Sequence, residues 1–232
     1  MAVVFTESIQ ASDTGRTSLG CSERAKLVTS TRSYAVDVRP RLTYVFRSPG
    51  GRAFARFGRL NVNGVPTVFA ALGSVPGARC KAAWYRVLLP LKPHGQAGYV
   101  RARDVRLRPL RTRVVVDLST RRLTAFDRGR PVLSARAAIG ARSTPTPTGR
   151  FYVNQRFRDD PLGPYGWAAI GISAFSEVLN GWPQGGPVAI HGTNRPSLLG
   201  LPVSNGCIRV SNETVKRLWR LAPTGTPVQV QV

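Results

Sequence analysis

The chain has 232 residues, 42% of them hydrophobic, with 34 basic against 11 acidic side chains and a formal net charge of +23. That length suits one large domain or two small ones, and that apolar content excludes a largely disordered chain. No apolar run approaches the length needed to span a bilayer. The positive charge favours an anionic partner, such as a nucleic acid, a membrane surface or an acidic polymer. The arginines are spread along the whole chain without a dense run, however, so an arginine-rich genome accounts for the charge equally well. The three cysteines, Cys21, Cys80 and Cys207, stand at irregular spacings, no C-x-x-C pair exists, and His94 and His191 are the only histidines. These counts argue against a cysteine–histidine zinc site, and no metal or cofactor is expected.

Residues 1–37 are polar, show no clear period and read as a loose leader. They lack the basic head and apolar core of a secretory signal. "SLGCS" at Ser18–Ser22 has no preceding apolar segment, which argues against a lipoprotein attachment box. Cys21 in this leader and Cys80 after the turn-like "VPGAR" are expected to be dispensable; an oxidising compartment would let them pair, and leader flexibility opposes that bridge. From about Ala35 the texture changes to short apolar runs split by turn residues. "RLTYVFRSPGGRAFARF" reads as strand, Ser-Pro-Gly-Gly turn, strand; "WYRVLLPLKPHGQAGYVRARDVRL" reads as three more strands. Residues 38–109 therefore suit a small barrel. "LRPLRTR" at Leu107–Arg113 is a joint containing Pro109. Beyond it, "VVVDLSTRRLTAFDRGRPVLSARAAIG" reads as three strands with turns at Ser119-Thr120 and Asp127–Gly129. "STPTPTGRFYVNQRF" is a proline-rich turn and another strand, and "PLGPYGWAAIGISAF" and "LNGWPQGGPVAIHGTNRP" carry long, shaped loops. One helix is clear, "SNETVKRLWRLA", capped by Ser211 or Asn212, with Val215, Leu218 and Trp219 on its apolar face. "GTPVQVQV" closes the chain as a strand. The second half is mostly β with one clear helix.

The chemistry concentrates at "VSNGCIRVSN". A free cysteine is by itself more often core filler than nucleophile, and a lone histidine beside an apolar strand is usually structural. Here His191 lies sixteen residues before Cys207, and both are flanked by glycine-containing turns. A thiolate is the reactive form of cysteine and a histidine is a suitable base. The intervening "RPSLLGLPV" is loop-like and can fold back to bring the two together. Gly206 frees the backbone so that N–H groups can face the oxygen of a tetrahedral intermediate. Ser204 and Asn205 add polar contacts, and Arg209 can hold a carboxylate or phosphate by a two-pronged contact. The combination favours catalysis.

"IHGTNRPSLLGLPVSNGCIRVSN" resembles the signature of the L,D-transpeptidase catalytic (YkuD-type) domain, a His-Gly-Thr segment followed by Ser-x-Gly-Cys-Ile-Arg. The opening strands with their Thr-Pro-Thr-Gly turn and the "PLGPYGWAAIGISAF" loop are similar to that domain too, so the resemblance covers about 111–232. Residues 38–109 resemble a bacterial SH3-like module. The fold implied is mainly β: a small SH3-like barrel followed by a β-sandwich-like catalytic domain with one clear helix. The resemblance implies that Cys207 attacks the L,D-bond before the terminal D-alanine of a peptidoglycan stem tetrapeptide, giving a thioester that another stem's amine resolves. It implies His191 as base, oriented by the Gly192 carbonyl. Ser204, Asn205 and Gly206 would support the oxyanion, and Arg209, Tyr165 and Thr193 would contact substrate. Carbapenems would acylate Cys207. The position before Gly206, often histidine in the family, is Asn205 here, which leaves His191 as the only base. The partners implied are donor and acceptor stem peptides and anionic wall polymers, with no nucleic acid, a monomeric chain and an extracytoplasmic location. An L,D-carboxypeptidase or peptidoglycan hydrolase, or an enzyme attaching a lipoprotein to the stem, would use the same dyad. An arginine-rich nucleic-acid binder is the non-enzymatic alternative, although no base-reading helix or aromatic–basic sheet motif is present.

Overall fold

A computed structural model describes residues 27, 29 and 31–232 except 180 and 182. Most of the expected leader, and Cys21 with it, lies outside the described residues. The leader ends earlier than its composition suggests. "SYAVDV" forms the first strand, β1 (Ser33–Val38), with Ala35 and Val36 fully buried. The short alternation that reads as leader is thus a core strand.

Six more strands complete this first sheet: β2 (Leu42–Phe46), β3 (Ala53–Gly58), β4 (Val68–Pro76), β5 (Ala82–Leu88), β6 (Ala97–Arg101) and β7 (Val105–Leu110). Their order is β3-β2-β6-β5-β4-β1-β7. The Ser-Pro-Gly-Gly turn joins β2 to β3, with Gly50 at φ 74°. Edge strand β3 runs on to Arg59, whose carbonyl accepts the N–H of Thr67 at 2.8 Å as the chain enters the interior strand β4. That bond requires the sheet to curl back on itself. Val36, Val45, Phe69, Val87 and Val100 fill the enclosed space with no exposure at all. Cys80 closes the Ala78–Cys80 turn and is disulfide-bonded, although the flexibility expected of the leader opposes a bridge to Cys21. The turn keeps it partly accessible at the end of the β4–β5 pair, outside the core.

The second half continues with β8 (Thr112–Asp117), β9 (Arg122–Asp127), β10 (Arg130–Arg136), β11 (Ile139–Gly140), β12 (Gly149–Arg158), β13 (Ala168–Phe175), β14 (Pro187–His191), β15 (Pro202–Ser204), β16 (Ile208–Arg209), helix α1 (Asn212–Leu221) and β17 (Pro227–Gln231). Eight of these strands form one sheet, β10-β9-β8-β17-β12-β13-β14-β16, and β11 pairs with β15. The turn after β8 is built by Asp117, whose carboxylate accepts the Ser119 hydroxyl at 2.7 Å and the Thr120 N–H at 2.8 Å. β12 belongs to both ends of the sheet: Gly149–Tyr152 pairs with β17 and Val153–Arg158 with β13. Strands on either side of it share one core with α1, whose Val215 and Leu218 are completely buried. The fold is mainly β with one α-helix among the described residues. Arg156 lies 3.9 Å over the Trp219 ring and donates to the Trp219 carbonyl at 2.7 Å, which fastens α1 to β12.

The two sheets pack on each other. Tyr152 of β12 is fully buried against Ala70 and Leu88 of the first sheet, whose Ala35, Val68 and Leu110 form a further buried cluster of their own. Gly225 sits against Ala35 and Leu110 where a Cβ would collide. Arg108 makes a two-pronged contact with Asp37, at 3.1 and 3.3 Å, and donates to the Thr224 carbonyl at 3.0 Å. The joint near Pro109 is therefore covalent punctuation inside a continuous packed structure. The Tyr152 hydroxyl is buried with no partner among the described residues. Tyr152→Phe should leave stability unchanged or raise it by up to about 1 kcal/mol, because it removes an unsatisfied polar atom. Tyr152→Ala should cost about 3–5 kcal/mol by opening a cavity. Urea unfolding measures both, and a marked loss in the phenylalanine variant would show that the hydroxyl is satisfied.

Candidate active site

The site is set by one parallel pairing. β14 and β16 align Ile190 with Ile208 and His191 with Arg209. Successive side chains on a strand point to opposite faces. Ile190 and Ile208 are both fully buried in the core, so His191 and Arg209, and Cys207 one residue before the strand, face the other way. There they line a cleft of about 150 Å³ with Tyr165, Pro164, Leu179, Gly186, Pro187 and Asn205. The fold brings the two candidate catalytic residues to one cavity.

His191 is 3% exposed, and its Nδ1 lies 2.6 Å from the Gly192 carbonyl. A carbonyl only accepts, so Nδ1 carries the proton and Nε2 of the neutral ring is left as the base. The Tyr165 ring packs edge-on against the imidazole at 5.0 Å. Burial pulls the His191 pKa down to about 4, with the Arg209 charge acting in the same direction and the Gly192 carbonyl opposing. Burial also raises the Cys207 thiol above its ordinary value, while the Ala189 backbone and Arg209 pull it back. At neutral pH the pair is thus thiol and neutral imidazole, not an ion pair.

The turn that presents Cys207 is held from two sides. The Ser204 hydroxyl donates to the Cys207 carbonyl at 2.6 Å and accepts the Gly206 N–H at 3.2 Å. Gly206 has φ 105°, a conformation side chains rarely adopt. Behind it, the Thr144 hydroxyl and the Ala141 N–H both donate to the Ser204 carbonyl, at 2.9 and 2.8 Å. The Thr146 hydroxyl accepts the Gly140 N–H at 2.8 Å. The Thr-Pro-Thr segment is therefore the buttress of the cysteine turn.

Several expected roles change. The Gly206 N–H is already spent on Ser204, so neither group is an open oxyanion donor. Thr193 is buried, and its hydroxyl accepts the Arg195 N–H at 3.0 Å, away from the cleft lining. Its side chain shapes the loop and does not meet the cleft. Asn205 is exposed and lines the cleft, and Arg209 lines it too, with a buried Nε that has no partner among the described residues. Asn212 is a positioning residue that the sequence shows only as a helix cap. Ser211 takes the cap, accepting the Thr214 N–H at 3.1 Å. That frees the Asn212 carboxamide to accept the Trp167 N–H and donate to the Pro161 carbonyl, both at 3.1 Å. It ties down both ends of the loop that carries Tyr165. Its oxygen sits where a Cβ on Gly166 or Gly192 would fall, which is why the loop and the strand end can meet. Among the described residues no group of three or more His, Cys, Asp or Glu is arranged to hold a metal ion.

The model of the YkuD family, the L,D-transpeptidase catalytic domain, matches residues 111–230. The chain belongs to this family. The YkuD-type match contains the second sheet except the last residue of β17, and the whole cleft lining. The L,D-transpeptidase YkuD of Bacillus licheniformis is 35% identical over 120 residues, which are 51% of this chain and 64% of the relative, so the match spans less than two thirds of that protein. The L,D-transpeptidase YbiS of Escherichia coli is 36% identical over 93 residues, 36% of this chain and 26% of the relative. Among solved structures, the L,D-transpeptidase of Enterococcus faecium aligns with 51% of this chain and 49% of that chain at 26% identity and a TM-score of 0.40. L,D-transpeptidase 3 of Mycobacterium tuberculosis aligns with 72% and 92% at 17% identity and a TM-score of 0.45.

The low His191 pKa has two measurable consequences. Alkylation of Cys207 by iodoacetamide should climb through pH 9 with no plateau between pH 5 and 8, since burial holds the thiol protonated. A plateau of high reactivity near neutrality would reveal an ion pair. Between about pH 6.5 and pH 4 the unfolded chain binds a proton at this position that the folded chain refuses, so stability falls with pH across that window. The loss is about 3 kcal/mol. Replacing His191 with Gln should remove that share of the acid sensitivity in urea unfolding at pH 7 and pH 4.

Proposed function

We propose that the chain is a cysteine-dependent L,D-transpeptidase that cross-links peptidoglycan stem peptides. The observation that carries this reading is the shared cleft of Cys207 and His191, with Nδ1 committed to the Gly192 carbonyl and Nε2 left as base. Family membership supports the reaction class.

In this reading Nε2 of His191 takes the thiol proton as Sγ attacks the carbonyl of the L,D-bond. The negative oxygen forms beside the cysteine turn, where the Cys207 N–H is the available donor, since that of Gly206 is engaged. The C–N bond breaks, the imidazolium gives its proton to the departing D-alanine amine, and a thioester remains on Cys207. An imidazolium with a pKa near 4 is a strong acid for that transfer. The acceptor amine then attacks the thioester, passes a proton to His191, and the thiol is restored. The unpartnered Nε of Arg209 suits a substrate carboxylate. Arg209 lowers both pKa values, so its charge eases ionisation of the thiol and release of the imidazolium proton while opposing proton uptake by His191.

The substrate lies outside the cytoplasm, and the disulfide at Cys80 suits an oxidising compartment. The first sheet is read as an SH3-like module whose arginines meet anionic wall polymers. Incubation with tetrapeptide muropeptides, followed by mass spectrometry, tests the activity. The expected products are free D-alanine and a cross-linked dimer, and a carbapenem should add its mass to Cys207. Cys207→Ala should remain folded and yield neither. D-alanine release without a dimer would assign water as acceptor and make the chain a carboxypeptidase. Dimer formation by the alanine variant would refute the nucleophile.

A further inference from the structure

The far wall of the cleft is formed by the segment between β13 and β14, through Leu179, Gly186 and Pro187. The β13–β14 ladder supports this segment poorly. Its pairing runs to Gly171, shifts register, and resumes only at Phe175 opposite Pro187. Local order comes from Ser176, which is 2% exposed. Its hydroxyl accepts the N–H groups of Val178 at 3.3 Å and Leu179 at 3.0 Å, and its N–H donates to the Gly186 carbonyl at 2.7 Å. Ser176 thus sets the position of two of the three wall residues.

Ser176 is itself held from the first sheet. Between β5 and β6, Lys92 Nζ donates to the Ser176 carbonyl at 2.6 Å. Two residues on, His94 Nε2 accepts the Phe175 N–H at 2.9 Å, and its Nδ1 lies 3.5 Å from the Glu177 carboxylate. The His94 ring is steadied edge-on against Phe151 at 5.3 Å. At the other end of the segment, Asn63 and Gln184 exchange carboxamide hydrogen bonds of 2.8 and 3.3 Å. Both ends of a wall that belongs to the catalytic sheet are therefore fastened by side chains from the other sheet.

We propose that Lys92 and His94 are positioning residues for the cleft, holding the Phe175–Glu177 turn so that Leu179 and Gly186 close its wall over Cys207. The first sheet then builds part of the stem-peptide site and is more than a tether; this rests on the reading of the cleft given above. Neither residue touches Cys207 or His191, so substrate fit should change while the intrinsic reactivity of the thiol does not. A charge-assisted bond of this kind is strong enough for its loss to show as roughly a tenfold effect.

The test uses the full chain with Lys92→Met, Lys92→Arg and His94→Gln, the last keeping an acceptor for the Phe175 N–H. In Lys92→Met, amide exchange at Val178 and Leu179 should quicken about tenfold and KM for the tetrapeptide should rise about tenfold. Iodoacetamide alkylation of Cys207 should stay within about twofold of wild type. Lys92→Arg should restore exchange and KM, and His94→Gln should lie between. A folded Lys92→Met with unchanged exchange and KM overturns the inference, as does an equal loss of iodoacetamide reactivity, which would mean a general collapse of the site. If Lys92→Met fails to fold, raised exchange and KM in a folded Lys92→Ala or His94→Ala, with Lys92→Arg at wild type, support the inference, and wild-type values in both alanine variants overturn it. Should wild type prove inert toward the tetrapeptide while Val178 and Leu179 still loosen in Lys92→Met, the substrate reading fails and the positioning role stands.

Discussion

The parallel pairing of β14 with β16 is the constraint on which the site depends. Two parallel strands cannot be joined by a tight turn, so the chain after His191 must leave the sheet and return before Ile208 can pair with Ile190. The return path is the 192–207 crossover. It leaves β14 at Gly192, whose carbonyl fixes the imidazole, and re-enters through the Gly206 turn, which presents Cys207. One register shift would put Cys207 into the core and an isoleucine into the cleft. The complete burial of Ile190 and Ile208 opposes that slip, because exposing either would forfeit about 2 kcal/mol of apolar burial.

That geometry also sets the electrostatics. The imidazole and the thiol are both desolvated, and desolvation disfavours the charged form of each. The resting pair is therefore neutral. Arg209, one step along the same strand, tilts both equilibria the same way. It resists imidazolium and favours thiolate.

A cleft this small needs its walls held as firmly as its dyad. Asn212 does so on the Tyr165 side by bonding to Trp167 and Pro161. Ser176 does so on the opposite side, with its own carbonyl bound by Lys92. One anchor comes from a helix immediately downstream of the cysteine turn and the other from a sheet that precedes the catalytic segment. The shared burial of Tyr152 with Ala70 and Leu88 makes the second anchor rigid, since the sheets cannot slide without opening their common core.

Much of this was legible in the sequence. The alternating apolar runs and glycine–proline turns determined most strands of both halves, and the Val215–Leu218 spacing determined the one α-helix of the described residues. The "IHGTN" and "SNGCIR" segments pointed to the candidate dyad, and their resemblance to the YkuD-type signature pointed to the Gly192 carbonyl, which follows His191 directly in the chain. What lay far apart did not show. The strand at Ser33–Val38 reads as leader because its burial comes from β4 and β7, which are met only in space. Thr193 and Ser204 carry polar groups suited to substrate, yet the folded turns consume them locally. Asn212 reads as a cap until Ser211 takes that place, and Lys92 and His94 carry no local signal at all. A sequence determines side-chain chemistry and local period, whereas a hydrogen bond between residues some eighty positions apart is decided only when two sheets share one core.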